Sequence, residues 1–206
     1  MPDRVTLGFD TSAAHCAAAL LRGDRVLASR HEPMARGQAE RLMPMLEALL
    51  AEAGLGWRDL DVIGVGIGPG NFTGIRVAVA AARGLALALG VPAVGVTATE
   101  AAAFGLARPC RVVLEGRGGA VIWQDFGTEA QAGTHGGDGG SRPRQAATGA
   151  LPPGPAPASP VVPLAEAVAH LAARAADHPD LPRPAPFYLR PADAAPARDP
   201  APVILP

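Results

Sequence analysis

An α/β fold of two unequal lobes is predicted by three features of the 206-residue sequence. Three consecutive β-type runs joined by tight turns open the chain. Strand–helix–strand units follow them. Beyond Pro109 the composition shifts sharply toward glycine and proline. Three antiparallel strands leading into a parallel βαβ crossover are the layout of one lobe of the actin-like ATPase (ribonuclease H-like) fold. The expected division is a first lobe over 1–108 and a smaller, eroded second lobe over 109–206.

The elements of the first lobe can be justified in order. Val5–Phe9 (VTLGF) is a short apolar run that ends in the polar Asp10-Thr11-Ser12. His15–Leu21 is a second strand, Arg22-Gly23-Asp24 its turn, and Arg25–Arg30 a third strand. Gln38–Ala53 changes to a helical period. Leu42, Met45, Leu46, Leu49 and Ala53 form one stripe, Met43 and Leu50 lie off it, and Gly54 suits the stop. Asp61–Gly66 (DVIGVG) is a β-branched, buried strand. The break Gly68-Pro69-Gly70-Asn71-Phe72-Thr73-Gly74 leads into a helix over Gly74–Leu89, ended by Gly90 with Pro92 beyond. Ala93–Val96 is a further strand and Thr99–Ala107 a short helix.

The second lobe carries less pattern. Arg111–Glu115 and Ala120–Phe126 are predicted to pair around the turn Gly116–Gly119. Gly127–Pro160 is crowded with Gly, Pro and Ser, and a floppy loop or degenerate linker is expected there. Leu164–Ala176 is amphipathic, and in the proline-rich tail Phe187-Tyr188-Leu189 is the one sticky cluster.

Composition excludes several chemistries. The formal net charge of −1 gives no footprint for independent nucleic-acid binding. All eighteen basic residues are arginine, so neither a phosphate-gripping nor a Schiff-base lysine is available. The N-terminus lacks the zones of a signal peptide, and no apolar run is expected to be long enough to span a bilayer, which makes the cytoplasm the expected location. Cys16 and Cys110 read as buried thiols rather than a bridge. The histidines at 15, 31, 135, 170 and 178 form no i,i+4 pair and no HExxH, so no metal is expected. Glu115 and Asp125 flank the second-lobe hairpin, a weak basis for a carboxylate pair.

Two clusters bear on function. The loop at 68–74 sits between a strand and a helix N-terminus, a position that favours anions. It matches neither GxxxxGK[ST] nor GxGxxG, and a structural reading carries more weight: glycines for tight geometry, Thr73 as helix cap. Asp10, Thr11 and Ser12 either meet phosphate and metal, as a comparable hairpin does in actin-like ATPases, or form a polar turn. The helix after the loop is apolar almost all round, broken only by Arg76 and Arg83, which share a face. Such a helix must be buried all round. A neighbouring helix, a partner chain, or both would have to cover it.

These residues resemble the bacterial TsaB (YeaZ) family. The resemblance covers Leu7–Ala103 closely, through LGFDTS, AERLMPMLEALL and the phrase GIGPGNFTGIR followed by GLALALG. It continues in EGRGGAVIW (115–123) and in FYLR (187–190). Asn71 stands where serine is usual, Gln38 where many members have histidine, and Glu115-Gly116 replaces the usual Asp-Ala before Arg117. The resemblance implies a non-catalytic subunit of the machinery that makes N6-threonylcarbamoyladenosine at tRNA position 37. Such a subunit docks on a catalytic TsaD-type subunit, is joined by a TsaE-type ATPase, self-associates when isolated, and meets tRNA only through the complex.

The expected partner interface is therefore a four-helix layer drawing on Met45, Leu46, Leu49, Ile75, Val79 and Ala82, with Arg76 and Arg83 at its rim. The vestigial phosphate loop comprises Asp10, Thr11, Ser12, Gly68, Gly70, Asn71 and Thr73. No catalytic residue and no cofactor are expected, with ATP or ADP in the vestigial cleft or at the complex interface left open. The alternative is an autonomous actin-like nucleotide-binding enzyme, an ATPase or small-molecule kinase. A protease reading has no metal motif or nucleophile elbow behind it.

Overall fold

The computed structural model describes residues 3–116, 118–127, 132–133, 137–138 and 142–189. Strands β1 (Val5–Asp10), β2 (His15–Arg22) and β3 (Arg25–Pro33) form the expected antiparallel meander. Helix α1 (Gln38–Glu52) leads to β4 (Val62–Gly66), which pairs parallel to β1. Helix α2 (Phe72–Leu89) crosses to β5 (Ala93–Val96), parallel to β4. The sheet order is β3-β2-β1-β4-β5.

This sheet is covered on both faces, which explains its apolar strands. Leu7, Phe9, Cys16, Ala18, Leu20, Ile63 and Val65 join α1 and α2 in one core. Ala17, Ala19 and Leu21 face the other way, against Ala165 and Ala169 of α4 (Leu164–Ala175). Gly8 and Gly64 allow α4 to lie directly on the strands: a Cβ at Gly8 would stand 2.6 Å from the Ala165 carbonyl oxygen, and one at Gly64 would stand 2.9 Å from that of Val168. Helix α4, which lies beyond Pro109 in the chain, thus packs on the first sheet.

A short helix α3 (Ala98–Ala103), opened by a capping box between Thr97 and Glu100, passes the chain to the second lobe. There β6 (Cys110–Glu115) and β7 (Ala120–Phe126) pair as expected. The linker expectation for 127–160 is corrected. Besides a two-residue pair, β8 (Ala132–Gly133) and β9 (Gly137–Asp138), this stretch supplies β10 (Arg144–Ala147) and β11 (Pro157–Ala158), giving a four-stranded sheet in the order β10-β7-β6-β11. Arg111, buried on β6, holds the loop before β11. It donates to Asp125 Oδ1 and Oδ2 at 2.5 and 2.7 Å and to the Pro152 carbonyl at 2.6 Å.

A second correction concerns α2. Its 18 residues are long and apolar enough, by length and composition, to cross a membrane. In the fold only part of that apolarity is used on the sheet, where Ile75, Ala78, Val79 and Ala82 are buried; the helix is not buried all round, and Leu87 is 87% exposed.

Candidate functional site

The two suspected loops meet. Asp10 ends β1 with its carboxylate buried; Oδ1 accepts from Ser12 N at 2.8 Å and from Ser12 Oγ at 2.9 Å, and lies 2.7 Å from His15 Nε2. Its Oδ2 is buried without a partner, above Gly66, where a Cβ would collide with it. Thr11 Oγ1 donates to the Gly74 carbonyl at 2.7 Å, and Asn71 N donates to the Ser12 carbonyl at 2.5 Å. A Cβ at Gly70 would overlap the Ser12 carbonyl oxygen, and one at Gly74 that of Thr11. The glycines are therefore there to let one loop lie against the other.

The helix N-terminus is closed as well. Asn71 is the N-cap of α2, and its Oδ1 accepts from the Thr73 and Gly74 amides at 3.1 and 3.5 Å. Thr73, expected to cap, is instead an exposed residue of the first turn. Two donors that would otherwise face an anion are thus engaged by the chain's own side chain.

Beside these loops, a cleft of about 630 Å³ opens between the lobes. Ser12, His15, Pro69 and Gly70 line one side, Leu114, Glu115 and Ile122 another, and the 160–164 segment closes it. Glu115 sits at this cleft, whereas Asp125 lies four residues down the hairpin against Arg111, so the two carboxylates form no pair. Among the described residues, no three His, Cys, Asp or Glu side chains converge to hold a metal. The thiols of Cys16 and Cys110 are both buried, and burial pushes that of Cys16 up to about 11.

The structure overturns the inward–outward assignment of the helices. Met45, Leu46, Leu49, Ile75 and Ala82 are fully buried in the chain's own core, and Val79 nearly so. They hold α1 and α2 to the sheet and are not surface contacts. The exposed strip consists of Glu40, Met43 and Glu47 on α1, and Arg76, Ala80, Arg83 and Leu87 on α2. Leu50, placed off the stripe, is buried, and Met43 is exposed. Arg76 makes an internal contact: its Nε donates to Tyr188 Oη at 3.0 Å, and its guanidinium lies 3.7 Å from the Phe72 ring centroid.

Residues 29–149, more than half of the chain, match the family model described as TsaD: tRNA N6-adenosine threonylcarbamoyltransferase. The chain superposes on YeaZ from Pseudomonas aeruginosa with a TM-score of 0.70 and 27% identity, covering 90% of this chain and 100% of that one. The chain belongs to the TsaD family, on its TsaB (YeaZ) branch. A second structure, an uncharacterised protein similar to peptidase YeaZ from Pseudomonas aeruginosa, agrees with a TM-score of 0.71 and 27% identity, over 91% of this chain and 100% of that one. A curated relative, the tRNA N6-adenosine threonylcarbamoyltransferase of Erythrobacter litoralis (strain HTCC2594), is 38% identical over 29% of this chain. The match spans 22% of that relative's length.

In this TsaB-type chain, the sequence reading overlooked His15 and Thr99. His15 entered the sequence reading only as the start of the second strand and as a histidine outside any metal motif, and the hairpin brings it to Asp10. Thr99 Oγ1 donates to Gln124 Oε1 at 2.6 Å, a buried link between the lobes with no local sequence signal. For Tyr188 the sequence signal is its place in the apolar cluster Phe187-Tyr188-Leu189. Arg117, His135 and Arg190 lie outside the described residues.

Proposed function

We propose that this TsaB-type chain is a non-catalytic supporting subunit of a tRNA N6-threonylcarbamoyladenosine transferase complex. It docks on a TsaD-type subunit that moves the threonylcarbamoyl group onto the adenine N6 amine. A TsaE-type ATPase joins the assembled pair, tRNA is met through the complex, and the setting is the cytoplasm. The observation that supports this reading best is the closed loop pair. Asn71 caps the helix end that could grip a phosphate, and the 68–74 backbone rests on Thr11 and Ser12. The docking face is the exposed strip of α1 and α2, which also serves self-association of the isolated chain. The buried residues behind it keep both helices in place.

The test is reconstitution. The purified chain, incubated with tRNA and threonylcarbamoyl-adenylate, is expected to give no modified adenosine by mass spectrometry of digested tRNA. Addition of the cognate TsaD-type subunit, with which it co-elutes in size-exclusion chromatography, restores turnover. Turnover by the chain alone would end the supporting-subunit reading. The interlobe cleft favours one other reading, an autonomous nucleotide-binding enzyme. Calorimetric titration with ATP separates the two, because a saturable heat from the isolated chain belongs to the second.

A further inference from the structure

The 184–189 segment crosses back over the first lobe. Phe187 N donates to the Ile67 carbonyl at 2.8 Å, and Pro184 passes close to Gly95 at the end of β5. This lays Tyr188 beside the first turn of α2, its ring centroid 4.9 Å from that of Phe72. Arg76, one turn further along, is fixed by both rings. It stacks on Phe72 and donates Nε–H to Tyr188 Oη. No carboxylate among the described residues pairs with it, and α2 contains no acidic residue at all. Arg83 is exposed on the same strip, about 10 Å along the axis at 1.5 Å per residue.

An exposed arginine ordinarily gives up rotamer freedom when it binds. Arg76 has already given it up, on a helix rigidly seated on the sheet. One face of its guanidinium lies on the Phe72 ring, while its Nη groups have no partner among the described residues. A planar, pre-oriented fork of this kind matches a carboxylate, and burial under a neutral surface would leave its charge uncompensated.

We infer that Arg76 is a pre-formed receptor for a carboxylate of the docked TsaD-type subunit, and that Tyr188 is its positioning residue. This rests on the docking reading above. It adds the 184–189 segment to the docking machinery and states the chemistry of the partner residue.

The experiment measures the dissociation constant of the complex by calorimetry at low and high salt, for wild type, Arg76→Ala, Tyr188→Phe and the double variant. Arg76→Ala is expected to weaken the complex about tenfold or more, the range of interface arginines. It should also flatten the salt dependence. Tyr188→Phe keeps the ring and loses the acceptor; it is expected to weaken binding a few-fold, and to add nothing once Arg76 is alanine. Circular dichroism melts of all variants should coincide with wild type, since the contact is exposed. Wild-type affinity in Arg76→Ala would overturn the receptor and leave docking intact. Additive effects of the two substitutions would overturn the positioning role of Tyr188. Absence of any complex with the wild-type chain would overturn docking and receptor together.

Discussion

Ala82 and Ala80 are two residues apart on α2 and lie on opposite sides of the fold's surface. Ala82 is fully buried in the core that α1 and α2 share with the sheet, whereas Ala80 is exposed. Glutamate at 82 would enter a closed apolar site with no cation to meet it. To be buried at neutral pH it would have to take up a proton against an ordinary pKa of about 4.3, which costs about 4 kcal/mol at 1.36 kcal/mol per unit. The larger side chain adds about 1–3 kcal/mol of overpacking. The sum, about 5–7 kcal/mol, is comparable to the whole stability of an ordinary domain. Ala82→Glu is therefore expected to lose cooperative urea unfolding by circular dichroism, and Ala80→Glu to stay within about 0.5 kcal/mol of wild type. An Ala82→Glu protein that unfolds like wild type and fails only to associate would refute this burial and return Ala82 to the partner face.

Three further outcomes follow from named contacts. Asn71→Ala removes the acceptor for the Thr73 and Gly74 amides and should lower unfolding free energy by about 1 kcal/mol at unchanged denaturant slope; an unchanged midpoint would show that the cap contributes nothing. Cys16, buried and with its thiol pushed up to about 11, should resist iodoacetamide near pH 8 in the native protein and react readily in urea, as followed by mass spectrometry. His170 has its pKa lowered, first by burial and then by Arg174, against opposing pulls from Asp24 and Glu166. The unfolded chain then binds the proton more readily, so the neutral ring's contribution is full above the ordinary value of 6.5 and is lost as pH falls below it toward the depressed value. His170→Phe should flatten the stability profile in that acid window, and an unchanged slope would count against the half-buried neutral ring.

What was legible in the sequence follows from burial. Strands β1, β2 and β4 are apolar runs because both faces are covered, so their existence and order could be read directly. The turn at Gly23, the stops at Gly54 and Gly90, and the β6–β7 hairpin carried their own local chemistry. Strands β10 and β11 did not, because RQAA and PA have no apolar alternation and are held by backbone pairing to partners more than twenty residues away. For the same reason α4 was legible as a helix but not as part of the first lobe. Its small residues Ala165, Ala169 and Ala172 fit over Gly8 and Gly64, a match that exists only once the strands are paired.

The sequence by itself determined the fold class, the family-bearing loop phrase and the amphipathic helices, since each is written in neighbouring residues or in one period. Only the tertiary structure decided which side of α2 faces inward. Nearly every position of that helix is apolar, so period carries no sign, and the sheet beneath selects Ile75, Ala78, Val79 and Ala82. It likewise decided that the phosphate-like loop is closed, because the Thr11 and Ser12 oxygens that meet Gly74, Asn71 and Gly70 come from the turn after β1, about sixty residues earlier. Contacts between segments that far apart are set by the register of the sheet, which no local pattern in the chain records.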